Sequence, residues 1–395
     1  MKIAVIIERA NIALGGAERS IFEMTSCLRT FGLQVEILAA KGNTKVKNIH
    51  VLCPGSAKRT NLPDFEAAIR EHLTQNHYDI IHSTIPLAFA DIYQPRGGSF
   101  AEAIVRNTAS YQNKALRIYK RLTSSANFRR AVLRRAEKKI CKTPDGPIVA
   151  ALSKYVRQQF VEHYGLDDDR IRVIANGVKI NTGLDASAAD KLRGQILAKF
   201  GINESVEPVF FLFVANNFRL KGLDVLLEAM HILVRKKTAR PAYLIVAGRD
   251  KPGKYRRLKA ALRIKNRVLF VGPMPHIREV LSITDVAILP TYYDPASRFI
   301  LEALARQMPV ITTRYNGACD LFTDARHGKI IDSPDDINAL AAAMQYYTET
   351  ANIKNAVTAI EDDNLREKIS INRHCGELMQ LYESIVQDTG KKWQQ

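Results

Sequence analysis

Short apolar runs alternate with amphipathic stretches along this chain, and that alternation restricts its fold more than any other feature. In the first half, four apolar runs are typical of buried strands: residues 3–7, 34–40, 79–83 and 147–152. Residues 17–31 carry apolar side chains at helical spacing, and the run 153–164 predicts a helix with Ser153 as its N-cap. Strands that alternate with helices predict a parallel sheet covered by helices on both faces.

The same pattern restarts in the second half. Strands are predicted at 208–215, 242–248, 267–271, 286–290 and 309–313, with helices near 222–237, 253–263, 275–284 and 297–307. We interpret the polar stretch 176–206 between the halves as a linker. A chain of 395 residues also exceeds one comfortable core, so we expect two doubly wound α/β domains, at 1–180 and 181–360. Residues 361–395 are expected to be helical; a return to the N-terminal domain is one arrangement that the sequence leaves open.

Composition excludes several classes of protein. The five cysteines are scattered and never spaced as CxxC, so neither a disulfide framework nor a structural zinc site is expected. No run of eighteen apolar residues predicts a membrane span. The N-terminus meets Glu8 and Arg9 at once and is interpreted as a strand rather than a signal peptide, so we expect a cytoplasmic protein.

Positive charge is concentrated in one segment of a chain whose formal net charge is +18. Residues 96–142 carry thirteen Lys and Arg against Glu102 and Glu137, with apolar side chains between them. Such a basic amphipathic segment is typical of binding to an anionic membrane surface. A solvated helix face and a nucleic-acid surface remain alternatives, although no recognisable nucleic-acid module accompanies the segment and nucleic acid is the least favoured partner.

The segment 290–313 carries the strongest local signal for chemistry. Its sequence is PTYYDPASRFILEALARQMPVITT: a predicted strand ends at Pro290, Asp294 lies in the loop, and Glu302 lies in the helix that follows. Ligands of open parallel sheets bind at the carboxyl ends of the strands, where two domains that face each other form a cleft. There Asp294 and Glu302 can accept hydrogen bonds from sugar and ribose hydroxyls. By spacing alone, a turn cap and a solvated helix residue explain them equally well.

This segment resembles the Glu-x7-Glu motif of glycosyltransferase family 4, with Asp294 at the first acidic position. The resemblance extends to ANNFRLKGLDVLLEA (215–229), which is similar to the family's donor-phosphate loop, and to VAGRDKP (246–252) and RVLFVGPMPHIREVLSITDVAILP (267–290). The lipopolysaccharide core glucosyltransferases share a similar GxDKP turn. Membership implies the GT-B fold, in which two Rossmann-like domains face each other across a cleft.

The resemblance also implies roles for individual residues. Lys221 and Arg219 would neutralise a diphosphate leaving group, and Asp294 would act with them at the reacting centre. Arg219 departs from many relatives, which place their arginine five residues before the lysine. Asp91 is similar to an acidic residue near the acceptor and is expected to orient its hydroxyl. The donor-binding set comprises Gly15, Gly16, His82, Arg219, Lys221, Met274, Asp294, Ala296, Ser297, Arg298 and Glu302.

Some of these assignments have structural alternatives. The Gly15-Gly16 pair follows a predicted strand and leads into a helix, where backbone N–H groups favour phosphate, but a tight turn explains it too. His82 ends a buried strand, a position where a structural histidine is common. Arg219 and Lys221 have a solvated basic loop as their alternative.

The resulting hypothesis is a retaining, metal-independent glycosyltransferase. It would move a hexose from a nucleoside-diphosphate sugar, with UDP as the expected nucleotide and no other cofactor, to a lipid-linked saccharide such as a lipopolysaccharide core. The enzyme would bind to the inner face of the cytoplasmic membrane through residues 96–142. A nucleotide-sugar epimerase of the same fold and a non-catalytic protein that binds nucleotide or membrane are the alternatives.

Overall fold

The structure is a computed structural model that describes residues 1–11, 15–42, 47–55, 60–123, 128–180, 183, 185–203, 205–274 and 277–392. The chain forms two compact units. The N-terminal unit comprises Met1–Thr108, Gln112–Lys179 and the C-terminal segment that begins at Ser370. The C-terminal unit comprises Ala109–Tyr111 and Ile180–Ile369.

A parallel sheet forms the centre of the N-terminal unit. Within the described residues its seven strands are β1 (Lys2–Ala10), β2 (Gln34–Gly42), β3 (Ile49–Val51), β4 (Ile80–Ser83), β5 (Ile92–Tyr93), β6 (Ile148–Ala151) and β7 (Ile171–Val173). Their order is β3-β2-β1-β4-β5-β6-β7. In β1, Ile3, Val5 and Ile7 face one apolar core while Ala4 and Ile6 face another. The unbroken apolar run of β1 therefore reflects a strand that is buried on both faces.

Helices cover both faces of this sheet. They are α1 (Gly16–Thr30), α2 (Leu62–Gln75), α3 (Phe100–Ala109), α4 (Lys114–Leu122), α5 (Phe128–Lys142), α6 (Lys154–Tyr164) and, from the far end of the chain, α15 (Ile371–Lys392). The Ser153 side chain accepts a hydrogen bond from the Val156 N–H at 3.1 Å, which confirms the predicted N-cap of α6. Helix α15 joins the core under α1: Cys375, Leu378 and Tyr382 pack in one cluster with Met24 and Leu28.

The C-terminal unit repeats the architecture. Its described strands are β8 (Val209–Val214), β9 (Ala242–Ala247), β10 (Val268–Gly272), β11 (Val286–Leu289), β12 (Val310–Thr313) and β13 (Gly328–Ile331), all parallel in the order β10-β9-β8-β11-β12-β13. The helices are α7 (Ala186–Phe200), α8 (Leu223–Leu233), α9 (Gly253–Ala261), α10 (Ile277–Ser282), α11 (Arg298–Leu304), α12 (Ile337–Tyr346), α13 (Thr350–Asp362) and α14 (Leu365–Lys368). Both units are Rossmann-like α/β domains, as predicted.

The stretch interpreted as a linker contains a helix of 15 residues, and the interpretation was wrong for that part of it. Helix α7 begins after Asp185, whose carboxylate accepts a hydrogen bond from the Ala188 N–H at 2.9 Å. It ends at Phe200, and the following Gly201 adopts a left-handed conformation with φ of 67°. Ala189 and Ile196 are its buried residues. A polar helix with so narrow an apolar stripe gives a weak periodic signal, which explains why the sequence did not predict it.

Candidate functional site

Two loops at the carboxyl edge of the C-terminal sheet meet and define the candidate site. One loop follows β8 and ends at Gly222, and the other follows β11 and begins at Pro290. Gly222 has φ of 78°, and a Cβ atom there would lie 2.0 Å from the Pro290 carbonyl oxygen. The Tyr292 N–H donates to the Leu220 carbonyl oxygen at 2.9 Å. The adjacent strands β8 and β11 thus bring the two predicted motifs together.

Lys221 and Asp294 form the centre of this site. The Lys221 Nζ atom lies 2.7 Å from the Asp294 Oδ2 atom and donates to the Tyr293 carbonyl oxygen at 2.6 Å. The exposed fractions of the two side chains are 19% and 16%, so the pair is largely shielded from water but still reachable. A cation held this way in a partly dry site interacts strongly with an anionic ligand.

Asn316 fixes the loop that carries Asp294, a role that its place in the sequence did not predict. Its fully buried side chain accepts hydrogen bonds from the Ser297 and Ala318 N–H groups, both at 3.1 Å, and donates to Thr312 Oγ1 at 2.9 Å. The Asp294 N–H donates to the Tyr315 carbonyl oxygen at 2.9 Å. The Asn316-Gly317 dipeptide just after a predicted strand is the one signal that was available for it.

Helix α11 places Glu302 beside Arg298, four residues earlier. The Arg298 Nε atom donates to Glu302 Oε1 at 2.8 Å, and the exposed fractions of these side chains are 12% and 19%. The helix is shorter than the predicted 297–307. Ser297 and Ala296 are buried, and the Ser297 N–H already donates to Asn316. A diphosphate at the start of this helix would therefore find the Ser297 N–H already engaged.

A third loop, after β9, joins the site through Asp250. Its carboxylate accepts hydrogen bonds from the N–H groups of Phe218 and Lys251, both at 2.7 Å. Gly248 permits a close approach, since a Cβ atom there would lie 1.7 Å from the Ala215 carbonyl oxygen. The GRDKP turn thus fixes the loop that carries Arg219 and Lys221.

Arg219 contacts residues from a distant part of the sequence. Its guanidinium carbon lies 3.8 Å from the centroid of the Tyr111 ring, and its Nη1 atom donates to the Ser110 hydroxyl. Both partners belong to the C-terminal unit although they lie between α3 and α4 in the sequence. Met274, by contrast, is half-buried just after β10, at the edge strand of the sheet.

In the N-terminal unit, the glycine pair lies where the sequence predicted it. Gly15 precedes α1 at the carboxyl end of β1, and Gly16 is the first residue of the helix. Within the described residues no side chain caps this helix start, and Glu18 in its first turn lies 3.5 Å from Arg9. The geometry is that of a helix start that follows a strand, which suits a phosphate.

His82 is not available to a ligand, and its assignment to the donor-binding set is corrected. The side chain is fully buried, and its Nδ1 atom lies 2.6 Å from the Tyr382 hydroxyl on α15. Burial, with a smaller contribution from Arg96, lowers the pKa of His82 to about 3. His82 therefore has a structural role, the alternative that its strand-end position left open: it joins the C-terminal helix α15 to the sheet.

Asp91 has a structural contact as well. It precedes β5, and its carboxylate accepts a hydrogen bond from the Ile81 N–H of β4 at 2.7 Å. Burial raises its pKa. This position at the amino end of β5 does not support the expected role in orienting an acceptor hydroxyl.

The basic segment divides into two parts with different surroundings. Helix α5 packs one of its faces into the core, where Leu133 and Ile140 are buried. Its Arg129 forms an ion pair with Glu8 at 2.5 Å. Helix α4, described over all nine of its residues, has none that is buried. The exposed fraction reaches 62% for Ile118, 77% for Leu122 and 78% for Phe128 at the start of α5. In the described part of the chain, no helix is both long enough and apolar enough to cross a bilayer.

Two family models match the chain, one in each half. The model described as Glycosyltransferase Family 4 matches residues 14–182. The model described as Glycosyl transferases group 1 matches residues 195–366, which include Lys221, Asp294 and Glu302.

Individual relatives agree with these matches. The lipopolysaccharide glucosyltransferase WaaG of Escherichia coli (strain K12) is 23% identical over 332 residues, which cover 81% of this chain and 82% of WaaG. The crystal structure of WaaG superposes with a TM-score of 0.72 at 20% identity, covering 96% of this chain and 99% of that one. The structure of Anabaena HepE in complex with UDP-glucose gives a TM-score of 0.71 at 18% identity over 96% and 99% of the two chains. The chain therefore belongs to the glycosyltransferases of the GT-B fold, with a family 4 domain followed by a group 1 domain.

Proposed function

We propose that this glycosyltransferase moves a hexose, with retention of configuration and without a metal ion, from a UDP-sugar to a hydroxyl of a lipid-linked saccharide. The contact of Lys221 Nζ with Asp294 Oδ2 at 2.7 Å carries the proposal. It brings together, at the carboxyl edge of one sheet, the cation expected at the diphosphate and the carboxylate expected at the sugar. The whole pair lies inside the region that the group 1 model matches.

The expected roles follow from charge and position. Lys221 and Arg219 neutralise the charge that develops on the leaving diphosphate, a task that a metal ion performs in other enzymes. Asp294 accepts hydrogen bonds from sugar hydroxyls, while Glu302, oriented by Arg298, accepts them from the ribose diol. Gly15 and Gly16, at the start of α1, supply backbone N–H groups that suit a phosphate.

The identity of the donor rests on similar proteins. HepE is described in complex with UDP-glucose, and WaaG is named a lipopolysaccharide glucosyltransferase. At the sugar end this chain departs from the family motif that it resembles, since Asp294 is one methylene shorter than the motif's glutamate and is followed by Pro295. The resemblance also implies a glycine where this chain has Ser297. We therefore expect the donor to carry UDP, as in the HepE complex, and a sugar that differs from glucose in its hydroxyl pattern.

The reaction balances within donor and acceptor. The bond between the anomeric carbon and the β-phosphate oxygen breaks, and the acceptor oxygen forms its bond to the same face of that carbon. The acceptor proton passes to the departing phosphate oxygen, which serves as the base. Transfer in the presence of EDTA at an unchanged rate is the expected result for a metal-independent enzyme.

The evidence for a membrane partner comes from helix α4. Exposed Ile118 and Leu122 with neighbouring Lys and Arg side chains fit the interface of an anionic bilayer, and a lipid-linked acceptor would be met there. We place the enzyme at the inner face of the cytoplasmic membrane. Leu122→Glu should weaken binding to phosphatidylglycerol vesicles while leaving UDP affinity unchanged. Unchanged vesicle binding would favour a solvated helix face.

The experiment that tests the proposal combines donor binding with transfer. A thermal-shift screen against UDP-, GDP- and ADP-sugars should single out one nucleotide, and Glu302→Ala should abolish its effect. Lys221→Ala should lower the transfer rate about a hundredfold, the usual effect of losing one charge-stabilising group. Lys254→Ala is the matched control, because Lys254 forms a similar pair with Asp224 at 2.8 Å on α8 and α9.

Two outcomes would contradict the proposal. Steady conversion of the donor to another nucleotide sugar without acceptor would favour an epimerase of the same fold. Nucleotide binding without transfer to any lipid-linked saccharide would favour a non-catalytic binding protein.

A further inference from the structure

A second basic region, unrelated to residues 96–142, lies in the C-terminal unit. Residues 249–267 contain nine Lys and Arg and a single acidic residue, Asp250. The carboxylate of Asp250 is already used, because it accepts hydrogen bonds from the Phe218 and Lys251 N–H groups at 2.7 Å. Both of its oxygens are therefore already engaged with backbone N–H groups.

Some of these cations have partners within the unit. Lys254 pairs with Asp224, Lys259 donates to the Val268 carbonyl oxygen at 2.8 Å, and Arg267 lies 4.6 Å from the centroid of the Tyr243 ring. Five exposed cations have no acidic partner among the residues described, and we refer to them as the α9 surface: Lys251, Arg256, Arg257, Arg263 and Lys265.

The cations of the α9 surface lie on helix α9 or within four residues of its ends. The pKa of Lys259 on the same helix is lowered first by burial and then by the charges of Arg256 and Lys265. Like charges gathered without counter-charges destabilise the free protein, and a polyanion relieves the repulsion. A ligand with many phosphate groups fits this arrangement.

The apolar side chains of this region point inward. Tyr255 and Ile264 are buried, and across 249–267, all of which the structure describes, there is no exposed large hydrophobic side chain. The α9 surface thus has no residue to insert among lipid tails, in contrast to α4. It also lacks exposed aromatic rings on which single-stranded bases stack. Electrostatic adsorption to a surface of phosphate headgroups suits it best.

We propose that the α9 surface binds the phosphate headgroups of an anionic membrane. The C-terminal unit then has a membrane contact of its own, which depends on charge alone and is independent of sugar transfer. Binding through it should weaken steeply with salt, because exposed charges are screened within a Debye length.

The test uses the full-length protein with four cations of the α9 surface changed to glutamine: Arg256, Arg257, Arg263 and Lys265. Sedimentation with phosphatidylcholine vesicles, with and without phosphatidylglycerol, measures binding. We expect the variant to lose at least about tenfold in affinity for the anionic vesicles, since each cation near such a surface contributes measurably. UDP affinity and thermal stability report whether the variant is folded.

A matched control removes the same charge elsewhere on the same unit. Lys191, Lys199, Lys237 and Lys354 are exposed and lie away from α9, and their change to glutamine should alter vesicle affinity less than about twofold. An equal loss in both variants would overturn the proposal, because binding would then follow net charge only. So would a variant that keeps its vesicle affinity but loses binding to duplex DNA, which would assign the surface to nucleic acid.

Discussion

At the scale of single residues, Arg219 depends on a partner far away in the sequence. The Tyr111 ring faces its guanidinium at 3.8 Å, and the Ser110 hydroxyl accepts one of its N–H groups. A cation over an aromatic face gains about 1 kcal/mol and loses rotational freedom. Stacking leaves the edge of the planar guanidinium directed sideways, the geometry that phosphate requires. We therefore expect Tyr111 to act as a positioning residue for the donor diphosphate.

Tyr111→Leu should weaken UDP affinity by about fivefold, because the guanidinium loses its stacking partner. Calorimetry with UDP and UMP checks this, since the effect should be smaller for UMP, which has no second phosphate. Tyr111→Phe keeps the ring and should retain affinity. In an Arg219→Ala background, Tyr111→Leu should add nothing; additive losses would mean that Tyr111 acts elsewhere.

Sequence patterns located the central residues of the site but not their partners. Lys221 and Asp294 each follow a predicted strand, and strand ends meet at one edge of a parallel sheet, so their proximity was predictable. Asn316 contacts Ser297 across 19 residues, and Tyr382 contacts His82 across 300. No local periodicity encodes such pairs. The misassigned His82 shows the consequence, since a strand-end histidine has the same sequence signal whether a helix covers it or not.

At the scale of elements, the site depends on how closely the loops after β8 and β11 approach. Gly222 sets this distance, since its φ of 78° and the Pro290 carbonyl oxygen leave no space for a side chain. Among the strands, three that the sequence missed are too short to show a period of two: β3, β5 and β7 have two or three residues each. Long buried strands such as β1 and β8 were predicted because both their faces are apolar.

Gly222→Ala should destabilise the C-terminal unit by about 2 kcal/mol or more and lower UDP affinity, since the added Cβ forces the two loops apart. Gly201→Ala is the control: its φ of 67° is similar, but nothing lies within 4 Å of the added atom. Gly201→Ala should lower the free energy of unfolding by about 1 kcal/mol, the strain of placing an alanine in the left-handed region. Urea unfolding measures both, and equal losses would show that backbone strain alone decides the effect.

Helices α3, α5 and α6 are joined by one buried carboxylate. Glu137 accepts hydrogen bonds from the Tyr93 and Tyr164 hydroxyls at 2.8 and 2.6 Å and from the Phe100 N–H at 2.8 Å. Burial nonetheless raises its pKa to about 7. Because the folded chain then binds the proton more tightly than the unfolded chain, this group favours folding at low pH and loses that contribution as pH rises toward 7.

Glu137→Gln should remove this dependence. Between pH 7 and pH 5 the wild-type carboxyl should add about 2 kcal/mol to the stability of the N-terminal unit, and the variant should lack that gain. Hydrogen exchange of peptides from α5 in the full-length protein measures the opening free energy at each pH. An unchanged slope in the variant would mean that Glu137 titrates near its ordinary pKa.

At the scale of the whole molecule, the chain ends in the unit where it began. Ser370 pairs with Val178 where the chain re-enters the N-terminal unit, and α15 then packs against α1. The sequence predicted a helical end but not its place, because an amphipathic helix fits either domain. Two buried histidines, His82 under Tyr382 and His374 on α15, lie at this junction, and burial lowers the pKa of each.

His82 gives the molecule a dependence on pH opposite to that of Glu137. Its pKa of about 3 in the folded chain lies below the ordinary value of 6.5, so its contribution to stability is complete above pH 6.5 and is lost as pH falls toward 3. From pH 7 to pH 5 this loss is about 2 kcal/mol, similar to the gain from Glu137, and His374 adds to it in the same direction. The loss from the two histidines exceeds the gain from Glu137, so the wild-type N-terminal unit should become less stable over this range. His82→Gln, which keeps a partner for Tyr382, should lose less stability on acidification than the wild type, while Glu137→Gln should lose more. Hydrogen exchange of peptides from β4 and α15 measures the opening free energy of each variant against pH. Equal slopes in the two variants would contradict the claim that His82 and Glu137 act in opposite directions.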